Sequence, residues 1–454
     1  MAPIRNYLVV GAASVLARLT GFVQYVLFAA VVGAGAVAEA YVAAFLLPNM
    51  IRRTISEGAL NAVYVPILAR RKATGGPADA VRFARAALGA MLLVALAGSV
   101  LAMVFMPAII AALAPGFVSD PEKFADSVLF GRIGLVFFAV SPILAMYAAS
   151  LSTVGQFAVP SFAVLVVNLS LIGVSLVFLA TGYRGDRTAG LALACTTAVA
   201  GVVQFLIGRQ AARRLRVAER PAWPVGDPDV VRMLLAVLPI MFLTGFSQIN
   251  ILFASQMSSD VPSAVAWLSY ADRLFHLPLS FVSGAIGMVL LPTMVAAMQT
   301  GGMEETRAAF YRTLEFALLL SLPAAAALHV LADPIVDCVY RRGAFQVADT
   351  RGAAEILRWL AVGLPGFVLG AALLPAFTVR ERYRLPILAA LAGLAANVVA
   401  TQAVRADAPI AAAPIGASAA AWVFAMILGG ALLLGRNLPP DGLARRRLPM
   451  CVLV

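Results

Sequence analysis

Leu19-Thr20-Gly21-Phe22, followed by Gln24, lies in an apolar stretch that opens near Tyr7, and the same letters return as Leu243-Thr244-Gly245-Phe246, followed by Gln248. Working outward, Gly58-Ala59 with Pro66 matches Gly284-Ala285 with Pro292, and Pro107 with Gly116 matches Pro334 with Gly343. Pro160 then matches Pro386, Gly190 matches Gly416, and Gly208-Arg209 matches Gly435-Arg436. The offsets stay between 224 and 227. One such agreement is cheap in a chain rich in Ala, Gly and Leu. Six in register point to a duplication that divides near residue 227.

Each half is too apolar for water. The 454 residues are 62% hydrophobic and 12% charged, which excludes a soluble globular chain and, with it, a soluble active-site domain. A helix crossing the hydrocarbon core needs about 20 residues. Apolar stretches separated by Gly, Pro or charge predict twelve helices, at roughly 7–33, 38–69, 84–113, 125–152, 158–181, 188–211, 229–256, 263–297, 307–331, 352–378, 385–404 and 410–435. Six helices is an even number, so both halves enter from the same side and the repeat is parallel, about an axis along the membrane normal. The expected fold is all-α and integral to the membrane. It has two six-helix lobes, 1–220 and 221–454, around a central cavity, and Pro48, Gly58, Pro142, Pro239, Pro278 and Pro292 supply bends for gating. No cleavable leader is expected, because the first apolar stretch is too long and lacks a small-residue cleavage pattern.

The net charge of +12 is nearly all arginine, since lysine occurs only at 72 and 123. Arginine gathers between helices 2 and 3 (Arg70, Arg71, Arg82, Arg85), between 6 and 7 (Arg209, Arg213, Arg214, Arg216, Arg220), between 10 and 11 (Arg380, Arg382, Arg384), and in the tail from Arg436 to Arg447. All four groups fall on one side of the expected topology, so the positive-inside rule puts both termini in the cytoplasm and explains the basic balance without nucleic acid. Cysteines at 195, 338 and 451 have no paired spacing, and His276 and His329 stand 53 residues apart without neighbouring ligands. Neither a disulfide framework nor a metal site is expected.

Charges inside the expected spans are the informative ones, because each costs about 2.5–3.5 kcal/mol at a helix centre on insertion scales. They are Arg18, Glu39, Arg52, Arg53, Glu57 and Arg132 in the first half, and Asp272, Arg273, Glu315, Glu355 and Arg358 in the second. Arg53 and Glu57 are four apart and read as an internal ion pair. Asp272 and Arg273 are sequence neighbours and need partners elsewhere. Arg18, Arg52 and Arg273 have no acid three or four positions away. Guanidinium groups facing a wet cavity suit a phosphate or diphosphate, which they bind in fork geometry, and interhelical pairing with Glu39, Glu57 or Asp272 is the competing reading. A basic cavity with apolar walls suits a lipid whose anionic headgroup crosses inside while its tail stays in the bilayer. His276 reads as a helix-packing residue.

At these residues the chain resembles the MurJ (MviN) family of lipid II flippases, in the multidrug/oligosaccharidyl-lipid/polysaccharide exporter superfamily that also holds the MATE transporters. The most specific part is Ala44-Phe45-Leu46-Leu47-Pro48-Asn49-Met50-Ile51-Arg52-Arg53, continuing to Ser56-Glu57-Gly58-Ala59 and Val65-Pro66-Ile67-Leu68. Further matches are Tyr270-Ala271-Asp272-Arg273-Leu274 with Leu277-Pro278, Leu290-Leu291-Pro292-Thr293, Arg342-Gly343-Ala344-Phe345, and Phe157-Ala158-Val159-Pro160 with Asn168. The resemblance implies a flippase, not an enzyme. It would move undecaprenyl-diphosphate-linked lipid II from the inner to the outer leaflet of the bacterial cytoplasmic membrane by alternating access, without a cofactor. Coupling would be to an ion or to the membrane potential. It further implies lipid II and membrane lipids as partners, with cell-wall synthesis proteins as further ones. Arg18, Arg52 and Arg273 become cavity arginines organised by Glu57 and Asp272, with Gln24, Glu39 and Arg53 in the same site.

The chain also departs from the family. Gln24 and Tyr25 stand where the family has an arginine and an aspartate, and Glu39 where it has an aspartate. Asn397 is followed four residues later by Thr401 and not by a carboxylate, at the family's sodium site. The family carries two helices beyond the twelfth that form a groove for the lipid tail, whereas twelve are read here. These departures leave open the export of another polyprenyl-linked glycan or anionic lipid, or a lipid-binding paralogue that does not transport. An enzyme acting on polyprenyl phosphates would need clustered carboxylates or histidines, and the sequence holds no such cluster.

Overall fold

The computed structural model describes residues 2–52, 60–156, 158–182, 185–215, 217, 220–223, 227–286, 303–378 and 383–434. Within them the only regular structure is helical, as a bilayer demands of a spanning chain, because helices satisfy their backbone groups internally. The helices are α1 (Ala2–Val32), α2 (Ala36–Ile51), α3 (Leu60–Val104), α4 (Met106–Leu113), α5 (Pro121–Ser152), α6 (Ala158–Thr181), α7 (Arg187–Arg214) and α8 (Pro228–Ser258). The second half gives α9 (Ala264–Ala285), α10 (Met303–Val330), α11 (Ala332–Tyr340), α12 (Val347–Leu373), α13 (Pro375–Thr378), α14 (Arg384–Val404) and α15 (Pro409–Leu434). Eight described helices are long and apolar enough to cross a membrane, and Ala36–Met50 and Leu165–Thr181 are shorter apolar ones.

The duplication read from the sequence reappears in the helix boundaries. The starts of α4 and α11, of α5 and α12, and of α6 and α14 are each 226 residues apart (332 − 106, 347 − 121, 384 − 158). Equivalent helices pack alike within each unit, although the units do not divide at residue 220, where the lobes were expected to part. The chain divides into two compact units, one of residues 1–252 with 342–346, the other of 253–341 with 347–454. In the first, α5 packs against α2, α3 and α7; in the second its counterpart α12 packs against α9, α10 and α15. Small residues make these approaches close, as they must where no water drives helices together. The Gly134 position on α5 leaves only 3.0 Å between a would-be Cβ and the ring of Phe45, and Gly366 on α12 stands equally close to the α15 backbone at Ala421 and Trp422.

The expected second and third helices are divided differently. Of the expected helix over 38–69, α2 covers the part to Ile51 and α3 the part from Leu60, while 53–59 lie outside the described residues. Pro48 has no N–H for the Ala44 carbonyl, which weakens α2 at that turn. α3 then runs through the expected loop between helices 2 and 3 with a bend at Gly76, whose φ of 78° is open to glycine and costly for other residues. At its far end Phe105 interrupts the helix before α4, two residues ahead of Pro107.

The basic end of the first unit is held by ions. Arg71 reaches Asp227 at 2.7 Å, Asp229 at 2.9 Å and Asp79 at 3.3 Å, while Arg70 adds a 3.0 Å bond to Asp229. The Ala222 N–H donates to the Arg85 carbonyl at 2.8 Å. Two of the arginine-rich segments, after helix 2 and after helix 6, therefore meet at one end of the unit. Beneath them Tyr64, Phe83, Tyr147 and Met233 form a buried cluster, with the Tyr64 hydroxyl 2.7 Å from Ser150 Oγ.

Candidate functional site

Arg18 sits on the exposed side of α1 among Val15, Leu16 and Leu19, which are exposed as well. Its turn is braced from the other side. Asn168 on α6 donates through Nδ2 to the Ala17 carbonyl and to Thr20 Oγ1, each at 3.0 Å, and Thr20 Oγ1 donates back to the Leu16 carbonyl at 2.7 Å. Gly21 makes room, since a Cβ there would already touch Asn168. The duplicated Leu-Thr-Gly-Phe thus has a local purpose: Thr20 and Gly21 receive Asn168 and fix the helix turn that presents Arg18. Among the described residues no carboxylate pairs with Arg18. One turn on, Gln24 is buried in the same unit at 7% exposure.

Arg52 caps α2, its N–H directed to the carbonyls of Pro48 and Asn49. α2 is anchored upstream by Tyr41, whose hydroxyl lies 3.1 Å from Thr197 Oγ1, and by the stacked rings of Tyr41 and Phe45 at 4.5 Å. Arg52 is partly buried and has an interaction partner. Arg53 and Glu57, with the ion pair expected between them, lie outside the described residues.

Glu39 is placed otherwise than a headgroup ligand would be. Only 1% exposed, it accepts a 3.0 Å hydrogen bond from Lys123 Nζ on α5, and that ammonium lies 4.4 Å from the centroid of the Phe117 ring. Lys123 was not singled out in the sequence. Its signal is rarity, as one of two lysines in the chain, together with its place behind the Asp120 cap of α5. The same end of α5 carries a second interhelical pair, Arg187 Nε to Asp126 at 2.6 Å.

In the second unit, α9 buries Tyr270, Ala271, Leu274 and Phe275. Trp267 Nε1 donates to Asp349 at 3.0 Å, the Tyr340 hydroxyl donates to the Tyr270 carbonyl at 3.3 Å, and the Phe275 ring meets Phe367 edge-on at 5.5 Å. That side being fixed, Asp272, Arg273 and His276 stay partly exposed. His276 Nδ1 lies 3.1 Å from Asp272 Oδ1, so the histidine is a partner of the motif carboxylate and not only a packing residue. Arg273 also has a partner. Of the other charges singled out, Arg358 pairs with Asp333, while Arg132 donates to the Met103 carbonyl at 3.1 Å. Thr401 donates to Asn397 Oδ1 at 3.1 Å, both fully buried.

The arrangement offers guanidinium groups held by braced helix turns, with no group of three metal-binding side chains among the described residues.

Comparison with known proteins gives the family. The family model described as "Lipid II flippase MurJ" matches residues 28–438. A probable lipid II flippase MurJ of Rhizobium meliloti is 35% identical over 449 residues, covering 97% of this chain and 83% of that protein. Its counterpart in Rhizobium tropici is 34% identical over 389 residues, covering 85% and 73%. In fold, the chain matches a solved lipid II flippase MurJ in an inward closed conformation with a TM-score of 0.80 at 19% identity, over 98% of this chain and 92% of that one. An inward-facing MATE transporter of the MOP superfamily matches with a TM-score of 0.73 at 17% identity, over 93% and 95%. The chain belongs to the lipid II flippase MurJ family.

Proposed function

We propose that this chain is a flippase that carries lipid II from the inner to the outer leaflet of the bacterial cytoplasmic membrane by alternating access, with both termini on the cytoplasmic side. The observation that carries this reading is the family match, which runs from residue 28 to residue 438 and takes in the Pro48-to-Arg53 and Tyr270-to-Arg273 motifs. The physical problem to be solved is electrostatic. A diphosphate cannot pass through hydrocarbon at tolerable cost, whereas its polyprenyl tail belongs there.

Arg18, Arg52 and Arg273 are the residues proposed to take the diphosphate, because arginine stays protonated and offers paired donors to phosphate oxygens. Asp272, with His276 beside it, would orient Arg273, and Glu57 the arginines of the first unit; Gln24 and Arg53 are proposed for binding as well. Glu39 acts more remotely, by fixing the start of α2 through Lys123. No covalent step is needed, so the work of the protein is binding, orientation and exchange of access. Cell-wall synthesis proteins are proposed partners.

The binding half of this reading is tested by titrating the purified chain with undecaprenyl diphosphate. Replacement of Arg18, Arg52 and Arg273 together by alanine is expected to weaken binding at least about a hundredfold, at one charged hydrogen bond or more per residue. Unchanged binding would remove these residues from the site. A second reading, transport of a different polyprenyl-diphosphate glycan, is favoured by Gln24 and Tyr25, which stand where the resemblance leads one to expect a charged pair.

A further inference from the structure

Arg132 has no part in the site above, yet it is a full charge on a face that is otherwise apolar. It lies about 16 Å along α5 from Pro121, at 1.5 Å per residue. Leu129 and Val136, three and four residues away on the same face, are exposed, and so are Val100, Leu101 and Val104 near the end of α3. Side chains on a helix lean toward its N-terminus, so the guanidinium is directed toward the membrane surface at which α5 begins.

Its position is fixed by a defect in the neighbouring helix. Arg132 Nε donates to the Met103 carbonyl at 3.1 Å. In an unbroken helix that carbonyl would take the N–H four residues on, but residue 107 is proline and has none. The helix is interrupted between them, at Phe105. The arginine therefore serves a carbonyl that the proline leaves without its helical donor. Of the five N–H groups of a guanidinium, one is used and four remain. Among the described residues no carboxylate pairs with Arg132.

We propose that Arg132, held by the break at Phe105, forms a binding site for the phosphate of an anionic phospholipid, phosphatidylglycerol, whose acyl chains lie over Val100, Leu101, Val104, Leu129 and Val136. An unpaired cation set among apolar side chains calls for an anion that brings its own apolar tails. The guanidinium fork suits phosphate oxygens, and a net anionic headgroup adds no cation of its own beside the arginine, as a choline headgroup would. The site shares no residue with the one proposed for the transported headgroup.

The test is native mass spectrometry of the full chain released from nanodiscs made of equal parts phosphatidylglycerol and phosphatidylcholine. The expected result is one retained phosphatidylglycerol, lost about tenfold or more in Arg132→Gln and only partly in Arg132→Lys, as for one charged hydrogen-bonded contact. Arg232→Gln, which removes an exposed arginine elsewhere, is expected to change nothing. Pro107→Ala restores a helical N–H for Met103 and is expected to alter retention while leaving every charge in place. Equal retention in Arg132→Gln would overturn the proposal, as would equal retention of phosphatidylcholine. A parallel arm adds undecaprenyl diphosphate; if that lipid alone is displaced by Arg132→Gln, the site belongs to the transported substrate and the proposal fails.

Discussion

Lys123 Nζ on α5 meets Glu39 Oε2 on α2 at 3.0 Å, and both side chains are almost wholly withdrawn from solvent. Attraction between buried charges is offset by the cost of desolvating them, so such a pair adds little net stability, while breaking it is expensive. Its effect here is positional: it sets where α2 begins and hence where Arg52, seventeen residues after Gly35, comes to lie.

Glu39→Ala or Lys123→Ala alone is accordingly expected to destabilise the protein by about 3–5 kcal/mol by leaving one charge unpaired. Replacing both with leucine is expected to recover most of that loss. Thermal unfolding of the four proteins in one detergent decides the matter. Two single variants that unfold like the parent would contradict the burial of the pair.

Gly33 and Gly343 are expected to behave as one unit. The Ala344 N–H donates to the Ala30 carbonyl at 2.8 Å, Gly33 has φ 70° and Gly343 φ 60°, and a Cβ on Gly33 would stand 2.8 Å from the Ala344 carbonyl oxygen. A Cβ on Gly343 would strike the Ala30 carbonyl in the same way. Either alanine substitution is expected to cost about 1–3 kcal/mol through left-handed strain and collision. The double variant should cost less than the sum, because both changes break the same contact. Full additivity would show the two glycines to be independent.

Arg71 holds three carboxylates from two segments, so its loss should be felt at α8. Arg71→Ala is expected to cost about 2 kcal/mol and to raise hydrogen exchange in the first turn after Pro228, whereas Arg82→Ala, on an exposed side chain, should fall within about 0.5 kcal/mol of the parent. Arg71→Lys keeps the charge without the fork and should fall between them. Equal effects at 71 and 82 would deny Arg71 its role as the hub.

The sequence carried the architecture because a bilayer leaves few choices. Apolar runs of about 20 residues must be helices, and a repeat with offsets of 224–227 reappears as helix starts 226 apart. The helical course through the expected loop after helix 2 was less visible: Gly76 was present to be read, but glycine is common in membrane helices and only the three-dimensional course of the chain shows that the helix bends there and runs on. The residues proposed for the site were legible where the signal was a charge inside a span, as for Arg18 and Asp272. Partners were not. Lys123 is 84 residues from Glu39 and Asp229 is 158 from Arg71, and no helical periodicity connects positions on different helices. His276 is the exception, since it stands four residues after Asp272 and helical periodicity alone brings the two together.

Cytoplasmic termini are the orientation proposed from the arginine distribution. A reporter fused after Val454 that is active only in the cytoplasm is expected to be functional, and one active only in the periplasm is expected to be silent. The reverse outcome would overturn the topology.

The central claim is that this chain moves lipid II. It is tested most directly by expressing it in bacteria depleted of their own lipid II flippase and measuring lipid II in the outer leaflet together with growth. Lipid II restored to the outer leaflet, and lost again when Arg18, Arg52 and Arg273 are replaced together, is the predicted result. Accumulation of lipid II in the inner leaflet, with the chain present and correctly inserted, would contradict it and turn the assignment toward another lipid or a paralogue that binds without transporting.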